Sequence, residues 1–464
     1  MSAGHKGLFL ITCASLISLL LGCAGGTADS GGGNPAVGVG VVNLTSSRLG
    51  NSGGFVDVNG DGAEDRVVGA PAASGPPKTG AIVVYHGTGL GFSSSYSTFI
   101  KGENEGDSFG YSFANTGDVD GDGKADFAVG AINAESLSGA VYIYKGGSNG
   151  QTLIKKLLGE GPRDKFGFSI ASADLNNDGK NDIIIGALFN TSDPALFQQG
   201  AVYVNFAPDF NTKAALYAST TNKGLGWMVA AGDVNNDNIP DLLISAGGKV
   251  LVYYGGSSFN PKINSPDLTI TSSASGFGKS IAVIGDMNGD GFKEIAIGAP
   301  NATINNNRDT GSVYIVKGGA GARTVNVDSS PSDLIVRIGG ANLFDRFGFS
   351  IAAVDADGDN LIDIAIGAPL ADVDSNLMAG KVYLFKGKDI GTSTTLSNAT
   401  VFKGNAKYQG YGTFLAAAPN KKLLVGAPSS KKYSGEFSIV DLTTGETVPD
   451  GGGGTPGGGD DHQH

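Results

Sequence analysis

The chain has 464 residues, of which 40% are apolar and 76 are glycine, with 17 prolines. That excludes collagen, and enough apolar residue remains to bury a core of short strands joined by tight turns. The formal charge of −12 argues against nucleic acid as a partner.

Cys13 and Cys23 are the only cysteines, so the chain beyond them can form no disulfide or thiolate metal site. Of the histidines (His5, His86, His462 and His464) only His86 lies in the body of the chain, which argues against multi-histidine zinc sites.

The first 22 residues read as an export signal. Lys6 gives a positive start, and Gly7–Gly22 is an apolar run too short to span a bilayer of about 30 Å comfortably. It ends in Leu20-Leu21-Gly22-Cys23, which resembles the lipobox of bacterial lipoproteins; the resemblance implies cleavage before Cys23 and acylation of that cysteine. Residues 23–37 then read as a flexible tether. Ala24 after the cysteine resembles the outer-membrane sorting signal of Gram-negative lipoproteins. The expected location is the bacterial envelope, on the periplasmic or cell-surface side.

Residues 38–448 are filled by one pattern repeated seven times, in units of roughly 60 residues. Each unit runs Phe-Gly, an Asp-rich loop, an apolar run ending in Gly-Ala-Pro, then Gly-x-Val-Tyr-x-Tyr. The Phe-Gly steps are Phe109-Gly110, Phe166-Gly167, Phe277-Gly278 and Phe347-Gly348. Leu49-Gly50, Leu225-Gly226 and Tyr411-Gly412 are weaker members. Four strands per unit are expected. The second is continuously apolar, as for a strand buried on both faces. The third alternates β-branched and aromatic residues. The fourth precedes the next Phe-Gly, as at Thr98–Lys101, Leu334–Ile338 and Thr400–Lys403. Seven such units predict an all-β fold, a seven-bladed β-propeller. Val41–Leu44 is expected to close the ring as the fourth strand of the seventh blade, removing an open edge. Residues 449–464 read as a disordered Gly-rich tail.

Six units carry D-x-[D/N]-x-D-x-x-x-[D/E]. The sets are Asp57, Asn59, Asp61, Asp65; Asp118, Asp120, Asp122, Asp126; and Asp174, Asn176, Asp178, Asp182. The others are Asp233, Asn235, Asp237, Asp241; Asp286, Asn288, Asp290, Glu294; and Asp355, Asp357, Asp359, Asp363. Several carboxylates on a flexible loop, offering only hard oxygen, suit Ca²⁺, up to six ions. An EF-hand would need a Glu at position 12. Here that position is Val68, Val129, Ile185, Ile244, Ile297 or Ile366, so EF-hands are excluded. Six divalent ions would offset nearly all of the net charge.

The Phe-Gly, Gly-Ala-Pro and Asp-loop marks resemble FG-GAP repeats, the units of the integrin α-subunit propeller. The resemblance covers residues 38–448. It implies extracellular adhesion or binding of a protein or glycan, with calcium in a structural role. Six acidic loops are more than integrin propellers carry. No segment outside the repeats is long enough for a separate catalytic domain of the kind found in the phospholipase that carries such repeats.

The expected function is therefore an anchored binding module without catalysis of its own. The alternatives are a propeller-scaffold enzyme acting on polysaccharide and a structural subunit of an envelope complex. His86, a lone candidate base, reads as a surface residue, and Trp227 as core packing rather than a sugar-stacking ring. The ligand is expected on the face opposite the acidic loops, where the long links at 188–199, 301–310 and 370–379 place Phe189, Phe197, Arg308, Asp372 and Asp374.

Overall fold

The computed structural model describes residues 46–448, apart from 74–77, 89–90, 93–95, 148–151, 191–198, 220–222, 331, 392 and 419–420. The export signal, Cys23, the tether, Val41–Leu44, the 449–464 tail and Phe197 lie outside the described residues.

Seven sheets follow one another along the chain, each with a core of four antiparallel strands. In the second blade these are Phe109–Gly117, Asp126–Ala131, Ala140–Lys145 and Thr152–Leu158. The Phe-Gly strand is innermost, and the innermost strands of neighbouring blades pack side by side, that of the seventh against that of the first. Continuous apolar sequence becomes burial on both faces: Asp126–Ala131, Asp182–Ala187 and Asp363–Ala368 are buried throughout. Among the described residues helix is confined to Ser430–Tyr433 and two 3₁₀ turns, and no helix is long and apolar enough to cross a membrane.

The core is divided into seven apolar layers, each sandwiched between two blades. One joins Val56, Val67, Ile82 and Ile100 of the first blade to Phe109, Phe127, Tyr142 and Tyr144 of the second. The layer that closes the ring joins Leu49, Phe55, Val68 and Tyr85 to Leu424, Phe437 and Ile439. Burying a side chain of this kind is worth about 1.5–3 kcal/mol, so each junction is stabilised as a small core of its own.

Two contacts repeat at the junctions. The glycine of Gly-Ala-Pro lies so close to the next blade that a Cβ on Gly298 would meet Gly348 O at 2.1 Å, and one on Gly426 would meet Gly50 O at 2.0 Å. The serine three residues after the Phe donates to the same carbonyl: Ser52 Oγ to Gly110 O at 2.8 Å, Ser280 Oγ to Gly348 O at 2.8 Å, Ser350 Oγ to Gly412 O at 2.7 Å.

The expected fourth strands appear at Thr98–Lys101, Leu334–Gly339 and Thr400–Lys403. Two edges depart from the sequence reading. In the seventh blade, Glu436–Asp441 was expected to need no following partner, yet Thr447–Val448 pairs with Ile439 and Val440. The fourth blade has five strands: Arg323–Asn326, from the link before the last strand of the fifth blade, pairs in parallel with Leu268–Thr271.

Candidate metal loops and the opposite face

Every acidic loop joins the first strand of its blade to the second, so all six lie on one face of the ring. Their fold follows from the position of each oxygen. The first Asp is a backbone acceptor: Asp118 Oδ1 takes the Gly121 and Asp122 N–H groups at 2.6 and 3.0 Å, and Oδ2 takes that of Gly123 at 2.8 Å. Positions 4 and 6 have positive φ and are Gly or Asn throughout, as in Gly121 and Gly123 or Asn236 and Asn238. The fifth-position Asp accepts from the seventh N–H, for instance Asp178 Oδ1 from Lys180 at 2.9 Å.

The ninth position does something the sequence reading did not anticipate. Asp65, Asp126, Asp182, Asp241, Glu294 and Asp363 are fully buried. Each of the five aspartates bridges its loop to the end of the third strand. Asp126 Oδ2 accepts from Val119 N at 2.9 Å and Oδ1 from Gly146 N at 2.8 Å. Burial, followed by charge repulsion within the loop, pushes Asp241 and Glu294 up to about 7 and Asp182 up to about 6. Glu294 is one methylene longer and turns into the loop, where Oε1 accepts from Asn288 Nδ2 at 2.6 Å.

Three loops bring carboxylate oxygens of three residues within 4.8 Å of one another: Asp118, Asp120, Asp122; Asp286, Asp290, Glu294; and Asp355, Asp357, Asp359. All the donors are hard oxygens, so these clusters fit a divalent metal ion. In the first, third, fourth and fifth loops the third position is Asn; Asn59, Asn176 and Asn235 each donate Nδ2 to the fifth-position Asp at 3.0 Å, whereas Asn288 donates to Glu294. Positions 1, 3 and 5 of each set thus share the loop, while the ninth-position Asp65, Asp126, Asp182, Asp241 and Asp363 open the second strand and only Glu294 joins a carboxylate cluster.

Cationic side chains also reach these loops. Lys145 Nζ is 2.6 Å from Asp120 Oδ2 and 3.1 Å from Asp122 Oδ2, and these bonds hold Lys145 up at about 12 and Asp122 below the usual carboxylate range. Lys386 and Lys388 lie 3.0 and 3.1 Å from Asp357 Oδ2 and hold that carboxyl at about 2. His86, read as a surface residue, is instead half-buried at the first loop, with Nδ1 3.2 Å from Asp65 Oδ2.

The opposite face carries the links between second and third strands. The link at 301–310 is pinned by reciprocal Ile304–Asn307 backbone bonds of 3.1 and 2.8 Å, and the link at 370–379 by Val373–Asn376 bonds of 3.0 and 2.8 Å. Arg308, Asp372 and Asp374 are exposed there, and Phe189 is half-buried. Trp227, read as core, is only half-buried on this face, with its ring 5.1 Å from that of Phe168. A further repeat escaped the sequence reading: Asp107, Asp164 and Asp345, two residues before their Phe, are buried and each caps a turn, with Asp107 accepting from Asn104 N at 2.9 Å.

Comparison with known proteins finds the same repeats in the sequence. Residues 118–185 match an FG-GAP-like repeat, and residues 166–205, 277–316 and 347–385 match the FG-GAP repeat. The chain is 38% identical to integrin alpha-4 of Xenopus laevis over 144 residues, 29% of this chain and 14% of that protein. It is 29% identical to integrin alpha-5 of Xenopus laevis over 311 residues, 64% of this chain and 24% of that one. It is also 27% identical to a phosphatidylinositol-glycan-specific phospholipase D of Bos taurus over 402 residues, 74% of this chain and 46% of the enzyme. The chain thus spans less than half the length of these relatives. The matched repeats, the integrin relatives and the seven-bladed ring make this chain an integrin-α-like β-propeller of FG-GAP repeats.

Proposed function

We propose that the chain is a calcium-braced binding propeller, held at the bacterial envelope by acyl chains on Cys23, that recognises an extracellular or envelope protein or glycan. The observation that carries this reading is the division of labour between the faces. All six acidic loops share one face, and the pinned links with Arg308, Asp372 and Asp374 share the other. Calcium would be held by the loop carboxylates and Asn oxygens and would supply charge neutralisation; the chain's own loops position the oxygens. The similarity to integrin α-subunits supports an adhesive role.

The test is a glycan and protein array probed with the full mature chain, then with variants in which the links at 188–199, 301–310 and 370–379 are each cut to Gly-Ser. Binding should be lost on truncation while the fold persists. Survival of binding in all three variants would place the ligand elsewhere. The same preparation tests the relation to the phospholipase D: turnover of a glycosylphosphatidylinositol substrate would overturn the non-catalytic reading.

A further inference from the structure

Where the third strand ends beside the ninth loop position, the residue is Lys145 in the second blade and Lys386 in the sixth. These are the two blades whose loops have Asp rather than Asn at the third position, Asp120 and Asp357. The other four carry His86, Phe206, Tyr254 or Lys317 there. An added carboxylate thus comes with an added ammonium group. The sixth loop goes further. Lys388 follows in the 3₁₀ turn Gly387–Asp389, which is held over the loop by the bond from Gly387 N to Asp363 Oδ1 at 2.7 Å. Lys388 Nζ lies 3.1 Å from Asp357 Oδ2 and 3.4 Å from Asp359 Oδ2. A third amine arrives from the seventh blade, where Lys421 Nζ fills the space over Gly358 that a Cβ would need. Three ammonium groups therefore stand against the clustered carboxylates of Asp355, Asp357 and Asp359. By contrast, the fifth-loop cluster of Asp286, Asp290 and Glu294 makes no ion pair among the described residues.

We propose that the sixth loop takes no calcium, because Lys386, Lys388 and Lys421 are its built-in cations, and that the ring fills only loops among the other five. The calcium affinity of an oxygen loop follows the number of charges it presents. A dication approaching the sixth loop meets a neutralised cluster and three ammonium groups that repel it at close range. To enter, it would have to displace amines held by two different blades. The second loop differs in degree. Its single lysine pairs with Asp120 and Asp122 and leaves Asp118 without an ammonium partner, so calcium competes there rather than being shut out. The proposal rests on the calcium reading above and names the loop that departs from it.

Bound calcium would be counted on the full mature chain by equilibrium dialysis against radioactive Ca²⁺ at saturating concentration, with circular dichroism as the check on folding. The wild-type chain should hold fewer than six ions. Lys386→Met/Lys388→Met should hold one ion more than wild type, and Lys386→Arg/Lys388→Arg should match wild type. Adding Asp355→Ala to the Met pair should remove the gained ion. Should the Met pair not fold, the wild-type count still decides. Six ions in wild type, or the same nonzero count in wild type and the Met pair, would overturn the proposal while leaving the calcium reading intact. No bound ion in any of these chains would overturn both.

Discussion

Asp107 shows what a single buried carboxyl does in this ring. Burial pushes it from 3.8 up to about 6, against the hydrogen bonds from Asn104 that favour the charged form. Because the folded value is the higher one, the folded state holds the proton more tightly. Its contribution is greatest at low pH and is lost as pH rises from about 4 to about 6, by at most roughly 3 kcal/mol. Asp107→Asn and wild type should therefore melt alike near pH 4, with the variant the more stable above pH 6. A parallel pair of melting curves across that range would refute the assignment. Lys145 makes a second residue-scale prediction. It occupies the oxygens of Asp120 and Asp122, so it competes with any cation for the second loop. Lys145→Met should tighten calcium binding at one class of sites several-fold in titration calorimetry; an unchanged isotherm would mean the lysine simply moves aside.

At the scale of elements, the junction contacts explain why Phe-Gly and Gly-Ala-Pro recur together. The glycine admits a neighbouring carbonyl that any side chain would exclude, and the serine supplies a donor to it. Ser280→Ala should cost about 1 kcal/mol. Gly298→Ala forces a Cβ into the backbone of the next blade and should cost several times as much, on the order of 3 kcal/mol or more. Denaturant midpoints of the two variants test the order; equal losses would mean the junction can give way. These elements were largely legible in the sequence, because each second strand is an unbroken apolar run and each Val-Tyr strand alternates. The serine bond was written there too, as Ser three residues after Phe, but its partner lies in the next blade and no local pattern points to it. Arg323–Asn326 was illegible for a related reason: it follows the short Gly-rich link 318–321 and completes an edge belonging to the previous blade. The ninth loop position was legible as an acid but not as a bridge, since Gly146 comes beside Asp126 only through sheet register. Trp227 was misjudged because Leu-Gly-Trp opens an innermost strand, where one side faces the ring axis rather than a neighbouring blade.

For the whole molecule, seven interblade cores make stability a sum of neighbouring terms closed into a ring, so any brace on one blade is felt by two junctions. The proposed envelope attachment rests on Leu20-Leu21-Gly22-Cys23 alone: Cys23→Ser should move the protein from the detergent to the aqueous phase in partitioning, and an unchanged distribution would refute the anchor. The acidic loops bear most directly on the ring as a whole. Without metal each places three or four carboxyl groups on one short turn, counting the buried ninth. At free Ca²⁺ ten times the dissociation constant, each filled site should add about 1.4 kcal/mol. The decisive measurement is the melting temperature of the mature chain in EGTA and in excess Ca²⁺. The account predicts a large upward shift with Ca²⁺, reduced by Asp118→Ala, Asp174→Ala or Asp286→Ala; equal midpoints would show that the loops are turns that bind no calcium.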